Sequence, residues 1–579
     1  MSTEPDSELV ERARAWAEDD PDPETRAELL ELVERGALTE LAERMAPELD
    51  FGTAGLRGAV GAGPARMNRA VVVRAARALA EHWSEHGRGA GVVVGRDARL
   101  SSAALAEAAA GVVLGAGHSV YWFEDPVPTP LVAFAARVLG ATGAIAITAS
   151  HNPREDNGLK AYGPDAMQLV APADMDVARR REALPGAAKI PCVSLAAARA
   201  NGAGLFVIGR ELEERYLAEL EARLPEASNE RALRIAYTPL HGVGRALLLR
   251  ALARRGFSDV HVVPEQAEPD GRFPTTPKPN PEEPGTLERV LELGTRVGAD
   301  LAVANDPDAD RLAAAVADEN GELRVLSGNE LGVLLADFVL ERAPKRPQPL
   351  LVTSIVSTPL LEQVALERGA RFERTLTGFK WIWLAAQALE ASEAVRFAFG
   401  CEEALGYSTG SLVRDKDGIS AAVFLCELAA RCRAEGTTLL GRLEALFRRH
   451  GAWASAQRSL VRPGASGISE IRDMVDRLAA APPEVVAGTR LSAFCDYRNG
   501  ADRRPVWLGR AALLELTLGP GLRVLVRPSG TEPKLKIYAD AREPVQAGES
   551  GLDAAARAKE HAETAADAVA RLLRGTEPG

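Results

Sequence analysis

The chain has 579 residues, 46% of them hydrophobic and 26% charged. At about 150 residues per domain this is room for about four soluble domains with full cores, which excludes collagen-like, disordered and disulfide-stapled classes. The net charge of −12 argues against a general affinity for nucleic acid or acidic membranes, but leaves room for a local basic pocket.

Five cysteines (Cys192, Cys401, Cys426, Cys432, Cys495) form no CxxC pair and are odd in number. That pattern fits reduced thiols better than a disulfide framework or a zinc site. The opening MSTEPDSELVERARAW shows neither a basic n-region nor an apolar h-region. The most apolar stretch, 103–117, is broken by Glu107 and too short to cross a bilayer. The expectation is a cytoplasmic protein with no membrane and no nucleic-acid partner. Among 60 Arg and only nine Lys, five lysines (Lys160, Lys380, Lys416, Lys534, Lys536) fall in the polar motifs below.

Residues 7–45 are rich in Glu, Arg, Ala and Leu, with Leu29, Leu32 and Val33 at helical spacing, and predict a pair of surface helices with a solvated charged face. From residue 50 short apolar runs alternate with Ala-rich helical stretches. GVVVGRD (91–97), SVYWF (119–123) and GAIAIT (143–148) flank predicted helices at 69–86 and 101–116. The pattern recurs at 233–242, 259–263 and 300–305, and again at 349–356, 370–376 and 395–400. It predicts three similar α/β sandwich domains with mixed sheets. The last 120 residues read as strands joined by turns and then an Ala-rich helix at 552–574, an α+β domain. Joints are expected near 205–210, 325–329 and 450–460. The predicted domains are a helical extension at 1–48, then 49–208, 209–326, 327–455 and 456–579.

In each of these four domains a strand runs into an unusual polar loop. The first is Thr148-Ala149-Ser150-His151-Asn152-Pro153, where Ser150 is an exposed nucleophile or phospho-acceptor, or else a helix cap or turn residue. The second is Asp306-Pro307-Asp308-Ala309-Asp310-Arg311. Carboxylates two apart on extended backbone share a side, and Pro307 favours that backbone at Asp306. Their repulsion is relieved by a cation, and an oxygen-only donor set suits Mg²⁺. An EF-hand is excluded because its sixth and twelfth positions would be Arg311 and Ala317. A solvated acidic turn is the alternative. The third is Gly400-Cys401-Glu402-Glu403-Ala404-Leu405-Gly406-Tyr407, with Gly378-Phe379-Lys380-Trp381 upstream. Its carboxylates can accept from sugar hydroxyls or simply favour a helix start. The fourth, Arg527-Pro528-Ser529-Gly530-Thr531-Glu532-Pro533-Lys534, offers a guanidinium, hydroxyls and backbone N–H groups to a phosphate, or is a plain Gly-Pro turn.

Together the four loops resemble those of the α-D-phosphohexomutase superfamily, and Phe51-Gly52-Thr53-Ala54-Gly55-Leu56-Arg57-Gly58 is similar to the stretch that opens its first domain. The resemblance spans about 50–540 with the motifs in order. It implies four domains arranged around a central cleft, with closure of the last one during turnover. It further implies a phosphoserine at Ser150 and one Mg²⁺ held by Asp306, Asp308, Asp310 and a phosphoryl oxygen on Ser150. Lys160 or His151 is the implied general base, and Arg57 an additional cation at the transferring group. Gly378, Lys380, Glu402 and Glu403 are implied to bind the sugar, and Arg527, Ser529, Gly530 and Thr531 its non-reacting phosphate.

GFKW, EEALGY and Asp415-Lys416-Asp417-Gly418 resemble the longer, phosphoglucomutase- and phosphopentomutase-like branch. The expectation is glucose 1-phosphate/glucose 6-phosphate interconversion, with glucose 1,6-bisphosphate or an equivalent as activator. Pentose phosphate is the alternative, supported by Ala404 where hexose-handling members commonly have Ser; sugar-bisphosphate synthesis is a further one. A haloacid-dehalogenase-type phosphatase with Asp306 as nucleophile would have Thr or Val at Asp310 and leaves Ser150 unexplained. A non-enzymatic sugar-phosphate sensor would have a broken nucleophile or triad.

Overall fold

Val-, Ile- and Ala-rich runs become buried strands, and the Ala- and Leu-rich stretches between them become helices. The computed structural model describes residues 4–50, 55–87, 89–202, 204–226, 231–462, 467–529 and 534–575. Two compact units emerge, Met1–Ala227 with Arg231–Val325 and Ser408–Cys426, and Leu326–Tyr407 with Glu427–Gly579.

In the first unit, β1 (Leu56–Ala59), β2 (Val92–Arg96), β3 (Val120–Trp122), β4 (Gly143–Ile147), β5 (Asp156–Tyr162) and β6 (Leu205–Val207) form one sheet in the order β1-β5-β4-β2-β3-β6. The β4-β2-β3-β6 half is parallel, and β1 and β5 add antiparallel strands. A second sheet repeats the plan. Its strands β7 (Ile235–Thr238), β8 (Val260–Val262), β9 (Leu301–Ala304), β10 (Ala313–Ala317) and β11 (Leu323–Val325) run in the order β11-β10-β9-β7-β8. Parallel β9-β7-β8 is extended by antiparallel β10 and β11. In both sheets a polar loop leaves a central parallel strand, β4 or β9, and returns antiparallel beside it. Carboxyl ends of parallel strands are where α/β proteins place ligands.

In the second unit β12 (Gln348–Ser354), β13 (Arg371–Thr375), β14 (Val395–Glu402) and β15 (Gly406–Thr409, which ends across the unit boundary) take the order β13-β12-β14-β15, with the first three parallel. The last sheet comprises β16 (Ala452–Val461), β17 (Val485–Val486), β18 (Thr489–Asp496), β19 (Leu514–Leu518), β20 (Leu522–Pro528) and β21 (Lys534–Glu543). It is antiparallel in the order β16-β21-β20-β19-β18-β17 and is covered by the helices Gly467–Ala480 and Gly551–Arg574. Three α/β domains with mixed or parallel sheets and an α+β domain are thus the architecture of the chain.

Two local readings change. The N-terminal segment forms three helices, Glu4–Asp19, Pro23–Glu34 and Leu38–Arg44, rather than a surface pair. Gly36 in the left-handed region ends the second helix, and Ala13, Ala17, Leu29, Leu32, Leu41 and Met45 close a core of their own. The stretch 450–460, read as a joint, holds most of β16, whose ten residues pair fully with β21. Its mixed polarity hides a strand that only long-range pairing stabilises.

The long helix Arg69–His86 shows how a local signal is reinforced by tertiary contacts. Asn68 caps it by accepting from the Val71 N–H at 2.9 Å, and donates through Nδ2 to the carbonyls of Gly61 and Gly63. Both jobs are done at 2% exposure. Asn68→Ala loses the cap and the donor to the buried Gly61 carbonyl, so it is expected to cost about 1–3 kcal/mol, read as an earlier urea transition of the first unit.

Candidate active site

Ser150 follows β4 with φ 52°, a left-handed backbone that a non-glycine residue adopts only where its surroundings impose it. Ala309 in the Asp306–Asp310 loop, at 57°, and Leu405 in the glutamate loop, at 63°, share this conformation. Arg99 is what holds the serine loop. Its Nη2 donates to the Ser150 and Asn152 carbonyls at 2.8 and 2.7 Å, and its Nη1 to those of Pro153 and Asp156 at 2.7 and 2.8 Å. Buried Arg99 lies over the Phe273 ring, 5.2 Å from its centroid.

Within this unit the serine loop meets the aspartates. Ser150 Oγ donates to Asp306 Oδ2 at 2.8 Å. Having spent its one proton there, it accepts from His151 Nδ1 at 3.0 Å. His151 Nε2 then accepts from Arg311 at 3.4 Å. Burial and the adjacent Arg311 and Arg57 push His151 well below its ordinary range, so the imidazole is neutral. Asp306, Asp308 and Asp310 are fully buried, and one oxygen from each lies within 4.8 Å of the others.

Lys160, on β5, donates to Asp308 Oδ2 at 2.7 Å and Asp310 Oδ2 at 2.6 Å. Burial opposes its charge, but Asp308, Asp310 and Asp415 outweigh it and hold the ammonium above its usual range. Thr129 Oγ1 also donates to Asp308 Oδ2, at 2.7 Å, and Lys416 Nζ lies 3.3 Å from Asp310 Oδ2. Burial and the two neighbouring carboxylates raise Asp306 well above the carboxylate range, while Asp310 is lowered because Lys160, Lys416 and Arg311 overcome its burial. Asp308 Oδ1 and Asp310 Oδ1 are buried with no hydrogen-bond partner. Unpartnered buried carboxylate oxygens in an all-oxygen set fit a hard divalent cation such as Mg²⁺. Arg57, on β1, donates to Asn152 Oδ1 at 3.3 Å and keeps a buried, unpartnered Nε.

The second unit carries the other loops. Glu402 Oε1 accepts from the Gly378 N–H at 2.6 Å, and Gly378 has a φ of 124° suited to glycine. Glu403 Oε2 accepts from Ser354 Oγ at 3.0 Å. A Cβ on Gly328 would lie 1.9 Å from the Glu403 carbonyl oxygen, so only glycine fits there. Lys380 Nζ sits 5.6 Å from the centre of the Trp381 ring. Arg527 lies on β20 opposite Lys536, and the Ser529 N–H donates to the Lys534 carbonyl at 2.7 Å. Gly530 and Thr531 lie outside the described residues, as do Phe51 to Ala54 of the opening motif.

The structure therefore brings Ser150, His151, Lys160, Arg57 and the three aspartates together in one unit. Sequence reasoning passed over Arg99, Thr129 and Arg311 as site residues. A signal was available for Arg99 in Asp97-Ala98-Arg99 at a strand end, where Asp97 accepts from the Arg99 N–H at 3.0 Å and Ser102 Oγ at 2.5 Å. Arg99→Lys cannot reproduce the four-carbonyl clamp. It is expected to speed amide exchange across 150–157 by tenfold or more in hydrogen–deuterium exchange, and unchanged exchange would show that the loop holds itself.

Four family models match in order: phosphoglucomutase/phosphomannomutase alpha/beta/alpha domain I over residues 48–184, domain II over 214–321, domain III over 327–450, and the C-terminal domain over 501–558. A Haemophilus influenzae protein named "Probable phosphomannomutase" is 36% identical over 480 residues, covering 82% of this chain and 93% of its own. Phosphopentomutase of Mus musculus is 32% identical over 569 residues, covering 92% and 90%. The crystal structure of the Paramecium phosphoprotein pp63/parafusin, a phosphoglucomutase, shares the fold with a TM-score of 0.68 at 17% identity, covering 91% of this chain and 96% of that one. No helix among the described residues is long and apolar enough to cross a membrane. With all four domain models in register along one chain, the protein belongs to the phosphoglucomutase/phosphomannomutase family of the α-D-phosphohexomutase superfamily, whose members are phosphomutases.

Proposed function

We propose that this mutase moves a phosphoryl group between two hydroxyls of one aldose through Ser150, interconverting glucose 1-phosphate and glucose 6-phosphate. The observation that carries the reading is Ser150 Oγ against Asp306 at 2.8 Å, beside two buried carboxylates with unpartnered oxygens. Asp306, Asp308 and Asp310, with a phosphoryl oxygen on Ser150, would hold one Mg²⁺. Bound there, the ion neutralises charge on the transferring group.

Phosphorylated Ser150 gives its phosphoryl group to the free sugar hydroxyl. The Oγ–P bond breaks and a sugar O–P bond forms, while the hydroxyl proton passes by way of the neutral His151 imidazole to the Ser150 Oγ left behind. The resulting bisphosphate turns around and returns its other phosphoryl group to Ser150, which is why a bisphosphate such as glucose 1,6-bisphosphate would prime the enzyme. Of the two base candidates, neutral His151 can take a proton and the Lys160 ammonium cannot, so we assign them different work. His151 Nδ1–H stabilises Ser150 Oγ as the phosphoryl group departs. Lys160, an ammonium between two carboxylates, supplies fixed positive charge and steadies the oxygens of Asp308 and Asp310. The unpartnered Nε of Arg57 suits a phosphoryl oxygen. Glu402, Glu403, Gly378 and Lys380 are the proposed sugar-binding residues, and Arg527, Ser529, Gly530 and Thr531 the proposed phosphate-binding residues.

Pentose phosphate is the second reading. Two observations favour it: Ala404 withdraws a hydroxyl from the glutamate loop, and the mouse phosphopentomutase aligns with 92% of this chain.

Ser150→Ala is expected to abolish turnover and the acid-stable, alkali-labile phosphate label left by bisphosphate. Substantial residual activity would sink the phosphoserine route. With Mg²⁺ and a trace of bisphosphate, kcat/KM for glucose 1-phosphate is expected to exceed that for ribose 1-phosphate. The reverse order would make Ala404 a specificity residue, and turnover of neither would remove both substrate readings.

A further inference from the structure

A second set of metal-ligating side chains lies away from the aspartate loop. His82 and His86 stand one turn apart on the helix Arg69–His86, and Asp176 comes from the helix Ala173–Ala183. One ring nitrogen of each histidine and one Asp176 oxygen lie within 4.8 Å of one another. The rings stack with centroids 4.7 Å apart and 23° between their planes.

Hydrogen bonds fix the tautomers. His82 Nδ1 is 2.8 Å from Asp176 Oδ2, and His86 Nδ1 is 3.1 Å from the His82 carbonyl oxygen. Both partners accept, so each ring carries a proton on Nδ1 and keeps Nε2 as a lone-pair donor. An imidazole whose other nitrogen donates to a carboxylate or a backbone carbonyl is the usual form of a metal ligand. Histidines four apart on one helix face have the spacing of a zinc chelate.

The electrostatics allow it. Asp176 is bound by Arg180 Nε at 2.7 Å and by Arg179, and Arg180 closes onto Glu85. Two guanidiniums and two carboxylates balance, so an incoming cation meets no net positive charge from them. His86 is also the last residue of its helix, the end that favours a cation.

We propose that His82 and His86 chelate one borderline divalent transition-metal ion, Zn²⁺ in chemistry, with Asp176 as the carboxylate that orients His82. Nitrogen donors select against Mg²⁺, which keeps the site separate in ligand chemistry from the all-oxygen aspartate loop. The ion would clamp the two imidazoles across the last turn of the helix Arg69–His86.

The test is a Zn²⁺ titration of the full-length protein in saturating Mg²⁺, by calorimetry and by the Tm it produces. Wild type is expected to bind one equivalent more than His86→Ala and to show a Tm rise that the variant lacks. His86 is exposed, so its removal is expected to leave circular dichroism and Mg²⁺-dependent turnover unchanged. Asp176→Asn is expected to keep the equivalent at tenfold or more weaker affinity; unchanged affinity would remove its orienting role. Equal stoichiometry and affinity in wild type and His86→Ala, as Zn²⁺ at exposed Cys192 or at the aspartates would give, overturns the site.

Discussion

Three carboxylates buried together are the constraint on which the first unit depends. Taking an ion out of water costs several kcal/mol even after relaxation, and like charges at close range add to it. Asp306, Asp308 and Asp310 meet that cost with cations from separate parts of the chain. Lys160 arrives on β5, Arg57 on β1, Arg311 from the same loop, and Lys416 from the segment Ser408–Cys426. Loss of any one of them shifts the charge balance around the buried aspartates. The charge cluster therefore acts as a structural joint as well as a catalytic candidate.

Ser408–Cys426 illustrates this. By sequence it follows the third sheet, yet its anchors are in the first unit. Asp415 accepts from Tyr162 and Gln168, Asp417 from Tyr216, and the Gly418 N–H donates to the Ala309 carbonyl. The last of these contacts reaches the loop that carries Asp306, Asp308 and Asp310. Strain is handled similarly: the left-handed Ser150 and Ala309 are held by Arg99 from one side and by the Asp306 carbonyl from the other. The second unit buries charges of its own, Asp337 against Arg368 and Arg442 and Asp540 against Arg523. Its glutamate loop is fixed by glycine, through the Gly378 N–H on Glu402 and the close approach of Gly328 to Glu403.

Much of this was legible in the chain. Contiguous features survive reading because their physics is local: apolar runs such as VVVGR form strands, and clustered carboxylates require a cation. The four loops could be located because each interrupts a strand-and-helix rhythm with residues that rhythm does not need. Elements with weak local signals were passed over. DNGLKAY, which carries Lys160, shows no strand signal because Asp, Asn and Gly disfavour strands; it becomes β5 by pairing with both β1 and β4. The third N-terminal helix and β16 went unread for the same reason.

The sequence by itself determined the family, the α/β architecture, the candidate nucleophile and the candidate carboxylate triad, because those depend on residue type and near-neighbour spacing. Tertiary structure alone decided what each charged group does. It set Lys160 as an ammonium on two aspartates, left His151 neutral on the serine oxygen, and made Arg99 the clamp of the loop. Protonation and hydrogen-bond direction follow from burial and from partners 150 or more residues away, such as Asp310 for Lys160 and Asp306 for Ser150, and no local pattern encodes those distances.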